Sequence, residues 1–459
     1  MGHVNRNVKI VPGPDAGWGF SVTIYGYKDT NNNTWIGNAE ISGVQFEDGG
    51  QLDTLNSPLK FLNTRNGNYK SKITDTSFLN CKANCIYMEN AHNITISNNV
   101  FYNVWVHGIE THSILDVKIE NNIFMGITYR FTVHSSTDVV ACVGVFTYPD
   151  PTFAKVLVRD NFCQGSSKHG FAVTFVKCGE SELNPFANNT AGSCKIGWIL
   201  NTNGQQCQEF SYAKAYACSI GQICGSPGIS KIIMNQFIMA DNGRGVTLKM
   251  GASEGGRDHT AELLNSYITA VSRPSCSYCY GSSATKCTGL QGTRILTASA
   301  NGEVMPAKSG TGFDVICKQP VFDSKNFLYN NTFEYFRQNY TESALQTCGS
   351  NFAFKPHSLG DDTVGSANLY DSKCINCDGD SYLKAPSPNP NFIGWFGGCG
   401  DIVCTGFENY LIQDWTGTFF GQVGTIIPSN DAIGTNETNC TKSDVMNAYM
   451  CLKEDFAVL

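Results

Sequence analysis

ITDTSF (Ile73–Phe78), ISNNVF (Ile96–Phe101) and IENNIF (Ile119–Phe124) repeat one pattern at intervals of 23 residues, an Ile followed five residues later by a Phe. An Ile or Leu with the same spacing to Phe recurs in ISGVQF from Ile41, LVRDNF from Leu157, IIMNQF from Ile232 and LYNNTF from Leu328. A short repeat with alternating apolar positions and an Asn-rich turn is typical of β-solenoids. The hexamers therefore predict that most of the chain is a stack of β-coils.

The polar residues inside each hexamer explain how its two apolar residues reach one core. Ile and Phe are an odd number of residues apart, so both can face the interior only if the strand bends between them. Asn98-Asn99 and Asn121-Asn122 occupy this bend, and Asn tolerates left-handed backbone and bonds its own main chain in turns. We expect equivalent amides to hydrogen-bond from coil to coil, as side chains do in stacked cross-β ladders.

A second motif keeps the same period. Asn84-Cys85-Ile86 aligns with His107-Gly108-Ile109 after 23 residues. Later versions of this corner are His169-Gly170-Phe171 and Arg244-Gly245-Val246. Two positions that keep one period indicate an all-β fold, and we expect a right-handed parallel β-helix, a solenoid.

Wider intervals and changes of composition suggest the domain organisation. We expect the parallel β-helix to span residues 1–386, with Cys-rich loop insertions at about 178–224 and 272–317 that disulfides hold in place. After Ser387 the sequence SPNPNFIGWFGGCGDIVCTG is rich in Pro and Gly. We expect residues 387–459 to form a Cys-containing C-terminal segment that caps the solenoid, because an open end would otherwise pair edge to edge.

The composition favours a folded, β-rich protein. Of the 459 residues only 15% are charged, 12% are aromatic and 46 are Gly, which is typical of β proteins with many turns. The net charge of −7 is spread without basic runs, so we expect no nucleic-acid partner. No apolar stretch follows MGHVNRNVKI and no run is long enough to span a membrane, so we expect a mature piece or a fragment of a longer protein.

Twenty cysteines and seven Asn-X-Ser/Thr sequons predict an extracellular or cell-surface location. The disulfide candidates, whose connectivity the sequence does not give, are Cys81, Cys85, Cys276, Cys279, Cys287, Cys374, Cys377, Cys399, Cys404, Cys440 and Cys451. The N-glycosylation candidates are Asn32, Asn93, Asn188, Asn330, Asn339, Asn436 and Asn439. Asn330 also occupies the register of Asn98 and Asn121, so its amide either bonds within a ladder or carries a glycan.

Two longer segments resemble a known family. NRNVKIVPGPDAGWG (Asn5–Gly19) is similar to the segment that enters the parallel β-helix of fibrocystin-L and its relatives, after their G8 domain. NPNFIGWFGGCGDIVCTGFENYLIQDWTGTFFGQVGTIIPSNDAIG (Asn389–Gly434) resembles the segment that follows those repeats. The resemblance spans essentially the whole chain and implies part of a large secreted or membrane-tethered ectodomain, without the G8 domain or an anchor. It implies no catalytic residue, because the family's best-known members are coat proteins with none established.

Parallel β-helices often host polysaccharide lyases and hydrolases, so carboxylates on neighbouring coils are candidates for catalysis. Glycosidic hydrolysis needs two carboxylates about 5 to 9.5 Å apart, and neighbouring coils lie about 4.8 Å apart. Asp75, Asp116 and Asp160 lie in or near coil bends, but the position one coil from Asp75 holds Asn98. We therefore expect no catalytic residues, and a glycan-cleaving site is kept only as an alternative by analogy of fold.

The string His107-Gly-Ile-Glu110-Thr-His112 contains potential zinc ligands. On a strand His107 and Glu110 point to opposite faces, and no HExxH helix signature is present. We expect His107 to lie at a coil corner, His112 to lie on the surface, and no metal to bind.

Other chemical motifs are also interpreted structurally. Cys276-X-X-Cys279 and Cys374-X-X-Cys377 are much further apart than the roughly 15 to 20 residues of a zinc ribbon, so structural disulfides are expected. Asp378-Gly-Asp380 lacks the further ligands of an EF-hand and predicts a turn. The sequence has no P-loop, dinucleotide fingerprint or GxSxG in a suitable context, so we expect no cofactor.

Three function hypotheses remain open. The leading one is a non-enzymatic structural protein, a glycosylated, disulfide-braced segment of a cell-surface coat or extracellular filament that self-associates. The alternative is a protein that binds or cleaves extracellular polysaccharide. A third is a receptor whose Cys-rich loops bind a protein ligand.

Overall fold

The computed structural model of the chain is all-β, and most of its strands pair in parallel. It describes residues 8–16, 18–51, 54, 56–65, 69–128, 140–146, 156–174, 176–179, 185–201, 207–218, 220–227, 231–242, 244–251, 260–270, 311–317, 325–336, 341–343, 346–347, 352–358, 364–382, 409–428, 440–446 and 448–452. These residues fall into two compact units: the first holds 8–201 and 212–218, and the second holds 207–211 and 220–452.

The first unit contains three sheets, and their strands alternate along the chain from coil to coil. Sheet 1 consists of the parallel strands Glu40–Ser42, Ser71–Thr74, His92–Ser97, Leu115–Glu120 and Val156–Arg159. Sheet 2 consists of the parallel strands Val8–Ile10, Val44–Glu47, Ser77–Leu79, Val100–Val104, Ile123–Ile127, Phe162–Ser166, Thr190–Gly192 and Lys214–Tyr216. Sheet 3 consists of Val22–Lys28, Leu59–Leu62, Ile86–Glu89, Ile109–His112, Ala141–Phe146, His169–Thr174 and Ile196–Asn201, with Thr34–Ile36 antiparallel at its edge. A short strand, Val176–Lys177, completes this unit.

The Ile and Phe positions of four hexamers form two continuous core ladders. Ile41, Ile73, Ile96 and Ile119 are direct partners in sheet 1, as the spacing predicts. In sheet 2 the partners are Phe46, Phe78, Phe101 and Phe124, whose ring centroids are 4.5 to 5.0 Å apart. All four rings are at most 2% exposed. Each buried ring contributes about 1.5 to 3 kcal/mol, so this stack is a main source of stability.

The bends between sheets 1 and 2 have two polar positions with different roles. The outer position has left-handed backbone, with φ of 50° at Asp75, 58° at Asn98 and 56° at Asn121. The inner position is buried and forms a ladder of amides, which we call the inner ladder; its members are Asn99, Asn122, Asn161 and Asn189. The predicted coil-to-coil bonding of amides is therefore confirmed at the inner position.

The second predicted repeat is also confirmed in the first unit. Ile109 pairs with Ile86 in the preceding coil, so Asn84 and His107 occupy the same corner. The Oδ1 of Asn84 accepts the backbone N–H of His107 at 3.2 Å, and the Nδ1 of His107 accepts that of Ala141 at 3.1 Å. An imidazole thus replaces an amide oxygen as the acceptor for the next coil.

The LVRDNF hexamer is shifted by one residue relative to its prediction. Leu157 pairs with Lys118 and Phe162 with Ile123, while the core positions are taken by Val158 and Cys163. The physical reason is that Val and Cys also fill these positions, so Phe spacing alone does not set the register. Asp160, with φ of 55°, still lies at the outer bend position.

The second unit contains three further sheets, which are built mostly from parallel strands. Sheet 4 consists of the parallel strands Cys207–Ser211, Lys231–Asn235, Thr260–Leu264, Lys325–Tyr329, Val364–Tyr370 and Asn409–Asp414, followed by antiparallel Gly424–Pro428, Ala448–Leu452 and Cys440–Ser443. Sheet 5 consists of Ile238–Ala240, Tyr267–Thr269, Thr332–Glu334 and Lys373–Ile375, and sheet 6 of Ile220–Pro227, Arg244–Gly251, Thr311–Cys317 and Phe352–Ser358. A hairpin, Thr341–Ser343 with Gln346–Thr347, and a 3-10 helix, Gly379–Ser381, complete this unit.

One hexamer in this unit is out of register. LYNNTF places Leu328 and Phe333 in core ladders. In the coil of IIMNQF (Ile232–Phe237) these positions are taken by Met234 and by Met239, which lies two residues after the hexamer. Phe237 is buried at the inner bend position instead, where its backbone N–H donates to the Oγ of Ser266 at 3.0 Å. Several apolar residue types are therefore interchangeable in these ladders.

The domain boundaries stay predictions. The range 178–224, predicted as an insertion, contains strands of the sheets, among them Thr190–Gly192 and Lys214–Tyr216. Beyond residue 387, Asn409–Asp414 still pairs in parallel with Val364–Tyr370 before the sheet becomes antiparallel. Of the range 272–317 the structure describes only Thr311–Cys317.

Candidate functional site

The outward surface of sheet 3 is the strongest candidate for a site in the first unit. Its register places Tyr25, Leu62, Glu89 and His112 in one row across four neighbouring strands. A parallel row runs from Lys60 through Tyr87 and Glu110 to Gly144. We call this outward surface the sheet 3 face.

Aromatic side chains occupy one end of the sheet 3 face. Tyr27 pairs directly with Trp35 across the terminal hairpin, and Tyr25 lies two residues away on the same side of its strand. Tyr25, Tyr27 and Trp35 are 49%, 52% and 56% exposed. The carboxylate of Asp29 accepts the indole N–H of Trp35 at 3.1 Å, which fixes the orientation of the ring. Exposed, oriented rings of this kind present flat apolar faces on which a sugar ring can stack.

A carboxylate and an imidazole lie farther along the same face. The Nε2 of His112 is 2.7 Å from an oxygen of Glu110, and the amide of Asn84 donates to the other oxygen of Glu110. Tyr87 donates its hydroxyl to Glu89 at 3.1 Å, and its ring lies 5.7 Å from that of His112. The face therefore combines aromatic surface with two acidic groups and a titratable base.

The ionisation of this cluster follows from burial and from its hydrogen bonds. Burial alone would raise the pKa of Glu110, but His107, His112 and Asn84 together outweigh it, so the pKa lies below its ordinary value. Burial lowers the pKa of His107, whose Nδ1 accepts the backbone N–H of Ala141 in the corner. At neutral pH Glu110 is an anion that can polarise His112.

The sequence-predicted residues of this string separate as expected. His107 is 4% exposed and bonds within its corner, whereas Glu110 and His112 lie on the outward sheet 3 face. Among the residues that the structure describes, no group of three or more His, Cys, Asp or Glu side chains is placed to hold a metal ion.

The three Asp residues considered for catalysis do not come together. Asp75 and Asp160 take the outer bend position in coils that are separated by those of Asn98 and Asn121. Asp116 has left-handed backbone and pairs with the Nε2 of His92 at 2.7 Å. Asp378 precedes the 3-10 helix, and Asp380 accepts the hydroxyl of Ser443 at 2.6 Å, so this motif forms the expected turn.

Four of the predicted sequons lie within the described residues, and their Asn residues share one backbone conformation. Asn32, Asn93, Asn188 and Asn330 have left-handed backbone, and all except the half-buried Asn93 are exposed. The Nδ2 of Asn330 donates to the Oδ1 of Asn265 at 2.9 Å. An amide nitrogen carries two hydrogens and a glycan replaces one of them, so a ladder bond and a glycan are compatible. Three candidates, Asn339, Asn436 and Asn439, lie outside the described residues.

Six of the candidate cysteines form disulfides, Cys81–Cys85, Cys374–Cys377 and Cys440–Cys451. Sequence reasoning missed the disulfide Cys142–Cys163 and the disulfide-bonded Cys178 and Cys207. The Cys142–Cys163 disulfide had one signal in the sequence: Cys163 occupies the core position that Phe124 occupies one coil earlier. The remaining candidates, Cys276, Cys279, Cys287, Cys399 and Cys404, lie outside the described residues.

Comparisons with known proteins leave the family open. No protein-family model matches the sequence, and no curated protein gives a significant match.

Within the part of the chain that the structure describes, no helix has the length and apolar character needed to cross a bilayer.

Proposed function

We propose that this chain is a non-enzymatic structural segment of an extracellular, cell-surface coat or filament. In this proposal it is a right-handed parallel β-helix with Cys-rich loop insertions and a C-terminal cap, glycosylated and braced by disulfides, in keeping with its resemblance to fibrocystin-L. The observation that carries it is the inner ladder, in which each buried amide is used to join one coil to the next. Amide side chains that bond from coil to coil favour a long, rigid stack of coils.

Self-association is the expected partner interaction. The outermost strands of sheets 2 and 3 in the first unit are Val8–Ile10 and Thr34–Ile36. An edge strand offers unpaired N–H and C=O groups that can pair with another chain. Repeat proteins also gain length coil by coil, which suits a filament or coat. Disulfides and exposed sequons fit assembly outside the cell.

The test uses the whole chain secreted from eukaryotic cells. Glycopeptide mass spectrometry should find glycans at Asn32, Asn188 and Asn330, and electron microscopy with analytical ultracentrifugation should find elongated assemblies. Asn32→Gln should remove one glycan, whereas Asn31→Gln, which alters no sequon, should not. Isolated monomers without glycans would overturn the proposal.

The sheet 3 face supports a second candidate, recognition of an extracellular polysaccharide. Here the exposed rings of Tyr25, Tyr27 and Trp35 stack on sugar rings, and Glu110 with His112 supplies hydrogen bonds or an acid–base pair. Binding to a panel of glycans should fall in Trp35→Ala and persist in Trp18→Ala, which removes a 65% exposed indole that precedes the strands of sheet 3.

Cleavage is tested separately from binding. If the face cleaves a glycan, Glu110→Gln should abolish the new reducing or unsaturated ends and leave binding intact. The absence of both binding and cleavage across the panel would remove this candidate.

A further inference from the structure

Sulfur atoms of successive coils come together inside the first unit. The Cys142–Cys163 disulfide is fully buried, and the Sγ of Cys194 lies 3.8 Å from the Sγ of Cys163. Cys194 and Cys218 are present as buried thiols, and the backbone N–H of Cys194 donates to the Sγ of Cys218 at 3.4 Å. The Cys142–Cys163 disulfide thus contacts the thiol of Cys194, and Cys194 in turn contacts the thiol of Cys218.

The register explains why these sulfurs meet. Cys163 pairs with Phe124 in sheet 2 and so replaces a ring of the Phe stack. Cys142 occupies the corner position that is Gly108 one coil earlier and Gly170 one coil later. A Cβ at Gly108 would lie 2.5 Å from the ring of Phe124, so the corner of one coil touches the Phe position of the next coil.

The corner of the following coil brings the third sulfur into range. A Cβ at Gly170 would lie 3.4 Å from the Sγ of Cys194. Gly170 has no side chain to occupy this corner, and the Sγ of Cys194 lies 3.8 Å from the Sγ of Cys163. The thiol of Cys194 also donates to the carbonyl of Gly192 at 3.3 Å, which holds the sulfur in place.

We infer that the Cys142–Cys163 disulfide is exchangeable, with the Cys194 thiol as the internal nucleophile. In this step the Sγ of Cys194 bonds to the Sγ of Cys163 and the Cys142–Cys163 bond breaks. The Sγ of Cys142 leaves with the electron pair and takes up the proton that Cys194 gives up. One disulfide and one thiol are present before and after, so the step needs no oxidant or reductant.

Cys218 is a bystander in this exchange. Its thiol donates to the carbonyl of Tyr216 at 3.4 Å, and burial raises the pKa of that thiol well above its ordinary value. The 3.8 Å contact with the Sγ of Cys163 is made by Cys194, so Cys194 is the nucleophile of the exchange.

The test maps disulfides in the whole secreted chain. Protein equilibrated in a glutathione buffer is quenched with acid, denatured and alkylated, and its non-reduced peptides are identified by mass spectrometry. We expect two linked peptides, Cys142–Cys163 and Cys163–Cys194, with the second forming faster as pH rises. Detection of Cys142–Cys163 alone, with alkylated Cys194 at every pH, would overturn the inference.

Two variants test the exchange without depending on the equilibrium between the two disulfides of the wild type. In Cys142→Ser the Cys163–Cys194 disulfide should rise from a minority to the majority of Cys163, whereas Cys218→Ser should leave the wild-type pattern unchanged. If Cys142→Ser folds, as judged by circular dichroism, but Cys163 and Cys194 are both alkylated, the inference is wrong. If that variant does not fold, the wild-type map decides.

Discussion

Asn122→Ala should destabilise the first unit more than substitution of an exposed Asn at the outer bend position of the neighbouring coil. The Oδ1 of Asn122 accepts both the backbone N–H and the Nδ2 of Asn99, each at 3.0 Å. Its Nδ2 donates to the carbonyl of Ile96 and to the Oδ1 of Asn161, again at 3.0 Å. Alanine removes all four bonds, so the buried backbone N–H of Asn99 and the carbonyl of Ile96 lose these partners, while the Nδ2 of Asn99 keeps its bond to the carbonyl of Ile73.

The magnitude follows from those unmet groups. A buried donor or acceptor left unsatisfied costs about 1 to 3 kcal/mol, so we expect a loss of about 3 to 5 kcal/mol in the free energy of unfolding. The control is Asn98→Ala, because Asn98 is exposed and sits at the outer bend position with φ of 58°. Its replacement should cost only about 1 to 2 kcal/mol, the strain of left-handed backbone at a residue other than Gly or Asn.

Urea denaturation followed by circular dichroism measures both variants. Native-state hydrogen exchange adds a local reading, since the amide of Asn99 should lose protection in Asn122→Ala and keep it in Asn98→Ala. Asn122→Asp adds a pH test: the introduced carboxyl can donate only when protonated, which raises its folded-state pKa. Its stability relative to the wild type should therefore be highest in acid and fall as pH rises. If Asn122→Ala costs no more than Asn98→Ala, the ladder is not the element that joins the coils.

Three further changes test other parts of the first unit. The protein should lose stability as pH falls from 6.5 towards 4, because burial holds the folded-state pKa of His169 at about 4, below its unfolded value, so the unfolded chain binds the extra proton. Unfolding free energies across this range should fall by roughly 3 kcal/mol for this residue, and His169→Asn should flatten the curve. Gly192→Ala should cost about 1 to 3 kcal/mol, since the new methyl group would collide with the ring of Tyr216, which lies over Gly192. A double-mutant cycle with Tyr216→Ala checks this, because additive effects would contradict the collision. Phe101→Ala should cost about 3 to 5 kcal/mol by leaving a void between two stacked rings, and a loss below about 1 kcal/mol in urea denaturation would contradict the stack as a main source of stability.

The repeats were predictable where one residue type carries one role. Ile at the strand and Phe at the core keep a fixed spacing in ITDTSF, ISNNVF and IENNIF, because the same residue types fill the two ladders there. The bends were predictable because Asn is one of few residues that tolerates left-handed backbone. The sequence alone does not tell which of the adjacent residues Asn98 and Asn99 turns its amide towards the core.

The out-of-register hexamers show why the rest was not predictable. A core ladder constrains volume and polarity more than identity, so Val158 and Cys163 continue ladders that Ile and Phe begin. The sheet 3 face was equally hidden. Its aromatic and acidic residues lie in different coils, and only the pairing of Tyr25 with Leu62 and of Glu89 with His112 places them in one row.

The inner ladder also has a mechanical consequence. A pulling force along the stacking direction of the coils in the first unit is carried in series by every boundary between coils, and at each boundary the ladder and the sheet bonds share it. Asn99 and Asn122 are 23 residues apart, so a coil that peels away there can extend by at most about 80 Å. Asn122 and Asn161 are 39 residues apart, so the boundary that opens determines how much chain is released.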